Sequence, residues 1–302
     1  VGQALAAKRR ESGLTNRALC ETIGIKQPVT FYAWERGESR PTQTQFDSYL
    51  RAVGADADVA QAMVQSVPSR LEHSWQSQYV GSGRNAVRNL VHIDQLEEAD
   101  VAWFAGRDDF EITPEHYADA GIPQRLSVDA DLMTLLGFYV AEGSCSDRNG
   151  IRLSIGNGNV AFAPEIAERM KRVFGIAPTL YENVDRAAEL KLVNRVAAAA
   201  WQSLFGFRDA ESHTKRIPDL VFNVSADLRL AFLRGYFRGD GTAAAGRVGL
   251  ATSSYDLASG LIYLLSSLGV VASLSEHEPD GKVRLIRGEP CITRRRYWQI
   301  TV

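Results

Sequence analysis

Two carboxylates, Glu142 and Asp240, each follow an apolar helical run and precede a glycine. The two segments are nearly the same: 135–143 spells Leu-Leu-Gly-Phe-Tyr-Val-Ala-Glu-Gly, and 233–241 spells Leu-Arg-Gly-Tyr-Phe-Arg-Gly-Asp-Gly. If the helices pack in parallel, the acids meet at one end, where like charges raise a pKa unless a cation shares them. A hard divalent cation such as Mg²⁺ takes oxygen ligands of this kind. The pattern therefore predicts a shared metal site; the alternative is that each acid is a solvated residue at a helix end.

The elements that must position these acids are two helices that carry small residues four positions apart. The first helix has Gly137 and Ala141, and the second has Gly235 and Gly239. Small residues at this spacing let two helix backbones approach closely, although a glycine inside a helix costs about 1 kcal/mol relative to alanine. The matched glycines therefore favour a close helix pair over two ordinary buried helices with incidental glycines. The acids lie 98 positions apart, which indicates two copies of one unit.

Hydrophobic periodicity extends this repeat to the surrounding elements. In the first copy it predicts a helix, a strand or turn, a strand, a helix, two strands and a helix, at 132–142, 144–148, 150–156, 161–174, 178–183, 188–194 and 195–205. In the second copy it predicts a helix, a strand, a helix and two strands, at 228–239, 246–252, 255–268, 270–276 and 296–302. The two copies are thus alike in the order of their elements.

The composition excludes some classes of protein. The chain has 302 residues, 45% of them hydrophobic, and a formal net charge of −2, which predicts two or three domains with real cores. No apolar run approaches the roughly 18 residues of a membrane span, so we expect no membrane partner. Three widely spaced cysteines suit reduced thiols in the cytoplasm better than a disulfide framework. Because basic residues cluster locally, the net charge neither favours nor opposes a nucleic-acid partner.

The two acidic segments resemble the paired motifs of LAGLIDADG homing endonucleases, of the dodecapeptide type found within inteins. The second segment is the more specific, whereas the first has Glu142 where many members carry aspartate. The resemblance covers about residues 125–302 and implies an α+β fold. It implies a pseudo-twofold pair of αββαββ(α) units whose antiparallel, saddle-like sheets lie in the DNA major groove.

The same resemblance implies a function. A monomer acting as a pseudo-dimer would cut double-stranded DNA at a long, asymmetric target site. Glu142 and Asp240 would hold Mg²⁺ or Mn²⁺, and water would hydrolyse the phosphodiesters. Two alternatives remain open: a DNA-binding transcription regulator that kept this fold and lost cleavage, and an RNA intron maturase.

Basic residues near the acids extend the resemblance. The run 215–218, Lys-Arg-Ile-Pro, resembles the Lys-x-Ile-Pro segment of intein endonucleases, whose lysine is implicated in the active site. Lys215 would stabilise charge on a scissile phosphate or help to poise a water; the alternative is a solvent-facing lysine in a basic loop. In the second copy the stretch 293–302, which leads into the last strand, has no lysine, so we expect an arginine there, which holds phosphate but cannot act as a base. The DNA contacts expected from the two copies are Lys191, Arg216, Arg247, Arg284, Arg294 and Arg296.

Residues 3–53 resemble a helix-turn-helix of the Cro/repressor type. Thr15 is a good helix N-cap, Gly24 stands between two helices, and Pro28 falls in the first turn of a recognition helix at about 26–35. Glutamine reads adenine, and lysine reads guanine or phosphate. The DNA contacts expected from this helix are Lys26, Gln27, Thr30 and Tyr32. The alternative is a helical domain that contacts other proteins.

These features divide the chain into four parts. They are a helix-turn-helix domain (1–67), a connecting segment (68–127), a first LAGLIDADG unit (128–214) and a second one (215–302). Within the connecting segment, the alternation of residues 90–104 predicts a pair of strands, which resembles the strand through which inteins lead into their endonuclease domain.

Overall fold

The computed structural model describes residues 2–36, 41, 43–55, 76–80, 86–105, 107, 110–114, 121–182, 187–244, 246–279, 281, 283–286, 289–292 and 295–302. Contacts divide the chain into two compact units, Val1–Arg107 with His116–Asp119, and Asp108–Glu115 with Ala120–Val302. Among the described helices, none is long and apolar enough to cross a lipid bilayer.

The first unit begins with four helices: α1 (Gly2–Glu11), α2 (Asn16–Ile23), α3 (Pro28–Glu35) and α4 (Gln43–Val53). The Thr15 hydroxyl accepts a hydrogen bond from the amide of Ala18 and begins α2, and Gly24, with a φ of 77°, ends it. Pro28 lies in the first turn of α3, where no intrahelical partner awaits its missing amide hydrogen. The expected pair of short helices with a tight connection is therefore present.

A largely buried ion pair fixes α3 against α1 and α4. The Glu35 carboxylate accepts hydrogen bonds from the Arg9 guanidinium at 2.6 and 3.1 Å and from the Tyr49 hydroxyl at 2.7 Å. Removing one partner of a buried ion pair is strongly destabilising, because the remaining charge loses its compensation. This contact therefore holds the orientation of α3 within the first unit.

The predicted pair of strands over 90–104 is wrong. The structure has a hairpin of β1 (Gln76–Val80) and β2 (Ala86–Leu90), then a 3₁₀ turn at Ile93–Gln95 and helix α5 (Glu98–Ala105). The Asp100 carboxylate accepts a hydrogen bond from the amide of Glu97 at 2.8 Å, and acidic side chains in a first turn stabilise a helix N-terminus. These local interactions outweigh the alternation of apolar residues.

The second unit contains the two copies of the repeat. It begins with the short strands β3 (Glu111–Ile112) and β4 (Ile122–Pro123). The first copy consists of α6 (Ala130–Glu142), β5 (Gly143–Ser146), β6 (Gly150–Ile155), α7 (Ala163–Phe174), β7 (Thr179–Tyr181), β8 (Ala188–Leu192) and α8 (Arg195–Phe205). After a short helix α9 (Asp219–Phe222), the second copy consists of α10 (Ala226–Asp240), β9 (Gly241–Ala244), β10 (Arg247–Thr252), α11 (Tyr255–Ser267), β11 (Ser273–His277), β12 (Val283–Ile286), β13 (Glu289–Ile292) and β14 (Tyr297–Thr301).

Each copy forms an antiparallel sheet of four strands. The first sheet has the order β5-β6-β8-β7, and the second has the equivalent order β9-β10-β14-β11. The predicted mixture of helices and antiparallel sheets is thus confirmed. The hairpin β12–β13, which lies between β11 and β14 in the sequence, was not predicted, and neither were β9 and α9.

The core of the second unit surrounds α6. Every residue from 132 to 140 is buried, so this helix packs on all sides rather than along one stripe. In β6, the side chains of Ile151, Leu153 and Ile155 are buried, whereas Arg152 is exposed on the opposite face. Alternation of this kind leaves one open face on an antiparallel sheet. The first sheet therefore presents polar side chains outward while its other face packs on the core.

Candidate functional site at the ends of the paired helices

Helices α6 and α10 pack backbone to backbone at two matched glycines. A Cβ at Gly137 would overlap the carbonyl group of Phe232, whose carbon would lie 2.9 Å away. A Cβ at Gly235 would overlap the carbonyl group of Thr134 in the same way, again with the carbon at 2.9 Å. The two contacts are equivalent, because Gly235 lies 98 positions after Gly137 and Phe232 lies 98 positions after Thr134. Only glycine fits at either position.

The contact continues to the ends of both helices. A Cβ at Gly239 would lie 2.5 Å from the Cβ of Ala141 and 3.0 Å from the Cγ of Glu142. Glu142 is the last residue of α6, and Asp240, which follows Gly239, is the last residue of α10. The structure therefore lines the four small residues along one helix contact, and both acids lie at the end of it beside Ala141 and Gly239.

We expect Gly235→Ala to destabilise the second unit by about 2–4 kcal/mol, because its methyl group would meet the backbone of Thr134 rather than a movable side chain. Gly158→Ala is the matched control, since the space around Gly158 is open, and its free energy of unfolding should change by less than about 0.5 kcal/mol. Urea unfolding followed by circular dichroism measures both. Equal stability of the two variants would contradict the close helix contact.

The glycine after each acid has a separate steric cause. Each acid helix passes directly into a strand, and the amides of Gly143 and Gly241 donate to the carbonyls of Tyr139 and Phe237. A Cβ at Gly143 would lie 2.5 Å from Cγ of the Tyr139 ring, and a Cβ at Gly241 would lie 2.5 Å from Cγ of the Phe237 ring. An aromatic ring four positions earlier thus requires glycine after the acid.

Lys215 is buried beside the junction of α6 and β5. Only 6% of its surface is exposed, and its ammonium donates hydrogen bonds to the carbonyl oxygens of Tyr139 at 3.0 Å, Val140 at 3.1 Å and Gly143 at 2.7 Å. The carbonyls at a helix C-terminus have no partner within the helix, and a cation there is favourable. The alternative of a solvent-facing lysine is therefore wrong. The three donors of Lys215 fasten the end of the helix that carries Glu142.

The environment raises the pKa of both acids. Burial raises the pKa of Asp240 to about 7, and the negative charge of Glu142 adds to this while Lys215 opposes it. Burial also raises the pKa of Glu142, again against the effect of Lys215. Burial lowers the pKa of Lys215 to about 8, although both acids act to raise it. Two carboxylates and one ammonium thus share a site with little access to water, and the one positive charge does not balance two negative charges.

A pH dependence follows from these pKa values. The raised pKa of Asp240 means that folding opposes loss of its proton, so its contribution lowers stability as pH rises from about 4 to about 7. The lowered pKa of Lys215 means that folding disfavours its charged form. The contribution of Lys215 therefore raises stability as pH rises from about 8 to about 10. We expect Asp240→Asn to become more stable relative to the wild type across the first window. Urea unfolding at several pH values in EDTA measures this, and a stability difference that stays flat from pH 4 to 7 would contradict it.

The residues at this site fit a hard divalent cation. Glu142 and Asp240 offer carboxylate oxygens, and Mg²⁺ is commonly bound by one or two carboxylates together with waters and substrate phosphates. Among the described residues, no group of three or more His, Cys, Asp and Glu side chains is placed to hold a metal ion, so a closed all-protein cage is not present among them. Tyr236 is fully buried one helical turn before Asp240, and its hydroxyl has no hydrogen-bond partner within the described structure. Burial raises the pKa of the Tyr236 hydroxyl, and the negative charges of Asp240 and Glu142 add to this.

The basic residues expected to contact DNA fall in several environments on the two copies. Lys191 lies on β8 with Glu189 at 2.7 Å and the centre of the Tyr181 ring at 4.7 Å. Arg247 is exposed on β10, and Arg216 is exposed beside the end of α8. Arg296 is exposed but forms ion pairs with glutamates of the second copy, one of them at 2.7 Å. Arg284 lies on β12, where its side chain is outside the described structure, and Arg294 lies outside the described residues altogether.

The candidate contacts in the first unit divide in a similar way. Lys26 and Gln27 are exposed in the connection between α2 and α3, with Gln27 at the N-cap of α3. Thr30 is half-buried on α3. The Tyr32 ring is half-buried, with the Arg9 guanidinium 5.0 Å from its centre. The two residues before α3 are therefore the most accessible of the four.

Sequence reasoning missed two side chains at the helix ends. Asn159 donates its side-chain amide to the carbonyl of Arg238 at 2.6 Å, two residues before Asp240. Tyr236 places a buried hydroxyl on the same face of α10 as Asp240, because residues four apart share a helix face. The i, i+4 spacing would have indicated Tyr236, whereas the contact of Asn159 spans 79 residues and leaves no local signal.

Comparisons with known proteins identify part of the second unit. The family model of the LAGLIDADG-like domain matches residues 227–296. A DNA polymerase of Thermococcus hydrothermalis is 30% identical over 203 residues, which cover 64% of this chain and 11% of that protein. The replication factor C small subunit of Methanocaldococcus jannaschii is 28% identical over 148 residues, which cover 48% of this chain and 8% of that protein. This chain thus spans about a tenth of the length of these relatives.

Solved structures show weaker likenesses. A crystal structure of I-DmoI in complex with DNA and Ca has a TM-score of 0.41 and 14% identity, covering 58% of this chain and 83% of that one. Full-length DUF199/WhiA from Thermatoga maritima has a TM-score of 0.37 and 16% identity, covering 58% of this chain and 51% of that one. At TM-scores below 0.5, neither likeness assigns an activity to this chain.

Proposed function

We propose that this chain is a site-specific endonuclease of the LAGLIDADG type that hydrolyses double-stranded DNA with a divalent cation. The observation that carries the proposal is the pair of half-buried carboxylates, Glu142 and Asp240, at one end of two glycine-packed helices, where burial raises the pKa of both. Burial of two like charges is unfavourable unless a cation shares them. A solvated, merely structural pair of helix ends would not show this desolvation.

Glu142 and Asp240 would hold Mg²⁺ or Mn²⁺. When bound, such a cation polarises a phosphoryl oxygen and lowers the pKa of a bound water. Lys215 supplies positive charge beside both acids while it fastens the end of α6. Its three carbonyl acceptors favour a role through charge and helix position over direct contact with a phosphate.

The proposed DNA surface consists of the open faces of the two sheets. Arg152 and Lys191 face each other across β6 and β8 on the open face of the first sheet, and Arg247 lies on β10 of the second. Antiparallel sheets with one polar face can enter the major groove, and phosphate contacts by basic side chains make the affinity strongly salt-dependent. The helices α2 and α3 would add contacts as a helix-turn-helix, led by Lys26 and Gln27.

Unequal copies support an asymmetric target. The first acid is Glu142 and the second is Asp240, and the hairpin β12–β13 belongs to the second copy. We assign 1–67 to the helix-turn-helix domain, 68–127 to a connecting segment, and 128–214 and 215–302 to pseudo-twofold halves of one monomer. The reciprocal contacts of Gly137 and Gly235 support this twofold relation.

An intein association is also part of the proposal. Similar stretches of about 150–200 residues occur in a polymerase and in a replication factor subunit, and each makes up about a tenth of its host. A stretch shared by differently named hosts supports an inserted module. A cytoplasmic location remains a prediction from the reduced cysteines.

Selection from a random DNA library tests the proposal. The full chain is incubated with linear duplexes in Mg²⁺ or in EDTA, and cut ends are sequenced. A single recurrent, asymmetric site that appears only with Mg²⁺ is expected. Binding of a recurrent DNA site without cutting would favour the inactive regulator, and preference for folded intron RNA over duplex DNA would favour the maturase.

A further inference from the structure

Arg238, two residues before Asp240, is held by three groups of the first copy. The Asn159 side-chain amide donates to the Arg238 carbonyl oxygen at 2.6 Å. The Arg238 guanidinium donates to the Glu165 carboxylate at 2.6 Å and lies 4.6 Å from the centre of the Phe162 ring. The backbone and the side chain of one residue in the last turn of α10 are therefore both bound from outside the helix.

The equivalent carbonyl in α6 is also bound from outside its helix. Val140 occupies the position of Arg238, and its carbonyl accepts from Lys215 at 3.1 Å. The donor is an ammonium in the first helix and a neutral amide in the second. Because Asn159 is neutral and Glu165 pairs with Arg238, the group around α10 fixes the backbone while adding little net charge near Asp240.

The last turn of α10 needs such a group. The final carbonyls of a helix have no intrahelical partner, and helix ends fray. Gly239 is packed against Ala141 and Glu142, so a small displacement of this turn changes the separation of the two carboxylates. A metal site tolerates little displacement of its ligands.

We infer that Asn159, Phe162 and Glu165 are positioning residues, which hold Asp240 at the separation from Glu142 that one shared divalent cation requires. The inference rests on the proposed function. Glu165 itself belongs to a wider network, since Arg169 donates to it at 2.9 Å and also pairs with Asp131 at the start of α6. Among the described side-chain hydrogen bonds, that of Asn159 goes to Arg238 alone, so Asn159 gives the cleaner test.

The test compares two variants of Asn159 with a matched control. Asn159→Ala removes the amide, and Asn159→Asp keeps its size but cannot donate to the Arg238 carbonyl. The control is Asn223→Ala, because Asn223 also donates its side-chain amide to a helix carbonyl, that of Asp219 at 2.8 Å, but in the short helix α9. Calorimetric titration with Mn²⁺ is performed on the full, DNA-free chain, together with hydrogen exchange of the segment 233–241.

We expect both Asn159 variants to bind Mn²⁺ about tenfold more weakly, as is typical when a group that orients a metal ligand is lost. Amides of 233–241 should exchange faster, and DNA affinity should not change. Asn223→Ala should match the wild type. Unchanged Mn²⁺ affinity in folded Asn159 variants overturns the inference, even if their melting temperature falls, because a purely structural contact predicts that result. If the wild type neither binds Mn²⁺ nor cuts DNA, the proposed function is overturned. If the wild type does both and the Asn159 variants bind Mn²⁺ equally well, only the inference about the positioning residues is overturned.

Discussion

Asp240→Asn should slow cutting of the selected DNA target by roughly 1,000-fold or more, since loss of a metal ligand removes several kcal/mol of transition-state stabilisation. Asparagine keeps the size of the side chain but cannot supply a negatively charged ligand. The close contact of Gly239 with Ala141 does not involve the carboxylate, so the helix pair should remain intact. Affinity for the target should stay within about twofold, because phosphate contacts elsewhere dominate it. Single-turnover cleavage and gel-shift titration in Ca²⁺ measure the two effects.

The matched control is Asp227→Asn, which makes the same change in the same helix. Asp227 is exposed in the first turn of α10, at the end opposite to the acid pair. Its replacement should leave the cleavage rate within about twofold, since it weakens only the interaction with the helix dipole. Undiminished cleavage by Asp240→Asn would refute the metal assignment, and equal losses in both variants would indicate a general effect of charge.

The acid-bearing helices were predictable because their signals are local and periodic. The predicted helix at 132–142 is observed as Ala130–Glu142, and that at 228–239 as Ala226–Asp240. The helical spacing of apolar residues and the small residues four apart required no knowledge of distant contacts. Strands β6 and β8 were also predictable, since the alternation of buried residues in them is clear.

The missed elements have weak or conflicting local signals. Strand β9, Gly241–Ala244, consists of small residues and begins without a loop after the acid helix, so no alternation marks it. Helix α5, Glu98–Ala105, lies where alternating apolar residues favoured strands, and its acidic first turn decided the outcome. For β9 the local signal was absent, whereas for α5 the interactions at the helix N-terminus outweighed the pattern of hydrophobic residues.

The candidate site was predictable only in part. Its two acids follow from the repeated motif, but the burial of Lys215 does not, because its three acceptors lie 72 to 76 residues earlier in the sequence. The Lys-Arg-Ile-Pro run indicated a lysine near the acids without indicating what it would bind. The structure thus shows a link between two roles of Lys215. Its positive charge lies near both acids, and its hydrogen bonds fix the end of the helix that carries Glu142.

That link leads to the largest expected effect on stability. Lys215→Met should lower the free energy of unfolding of the second unit by roughly 3–5 kcal/mol. Methionine fills a similar volume but removes the three hydrogen bonds that the ammonium donates to the carbonyls of Tyr139, Val140 and Gly143. It also removes the positive charge that opposes the raised pKa values of Glu142 and Asp240. Urea unfolding in EDTA, followed by circular dichroism, measures the loss.

Lys191→Met is the matched control, because Lys191 is partly exposed on the sheet and pairs with Glu189. Surface ion pairs contribute about 0–1 kcal/mol, so this variant should unfold almost as the wild type does. A loss in Lys215→Met no larger than in this control would mean that the ammonium is not held at the helix end. Lys215 would then be free to act at a phosphate, as the family resemblance alone implies. A large loss of stability in Lys215→Met would instead mean that one buried side chain both stabilises the helix pair and balances the charge of the two acids.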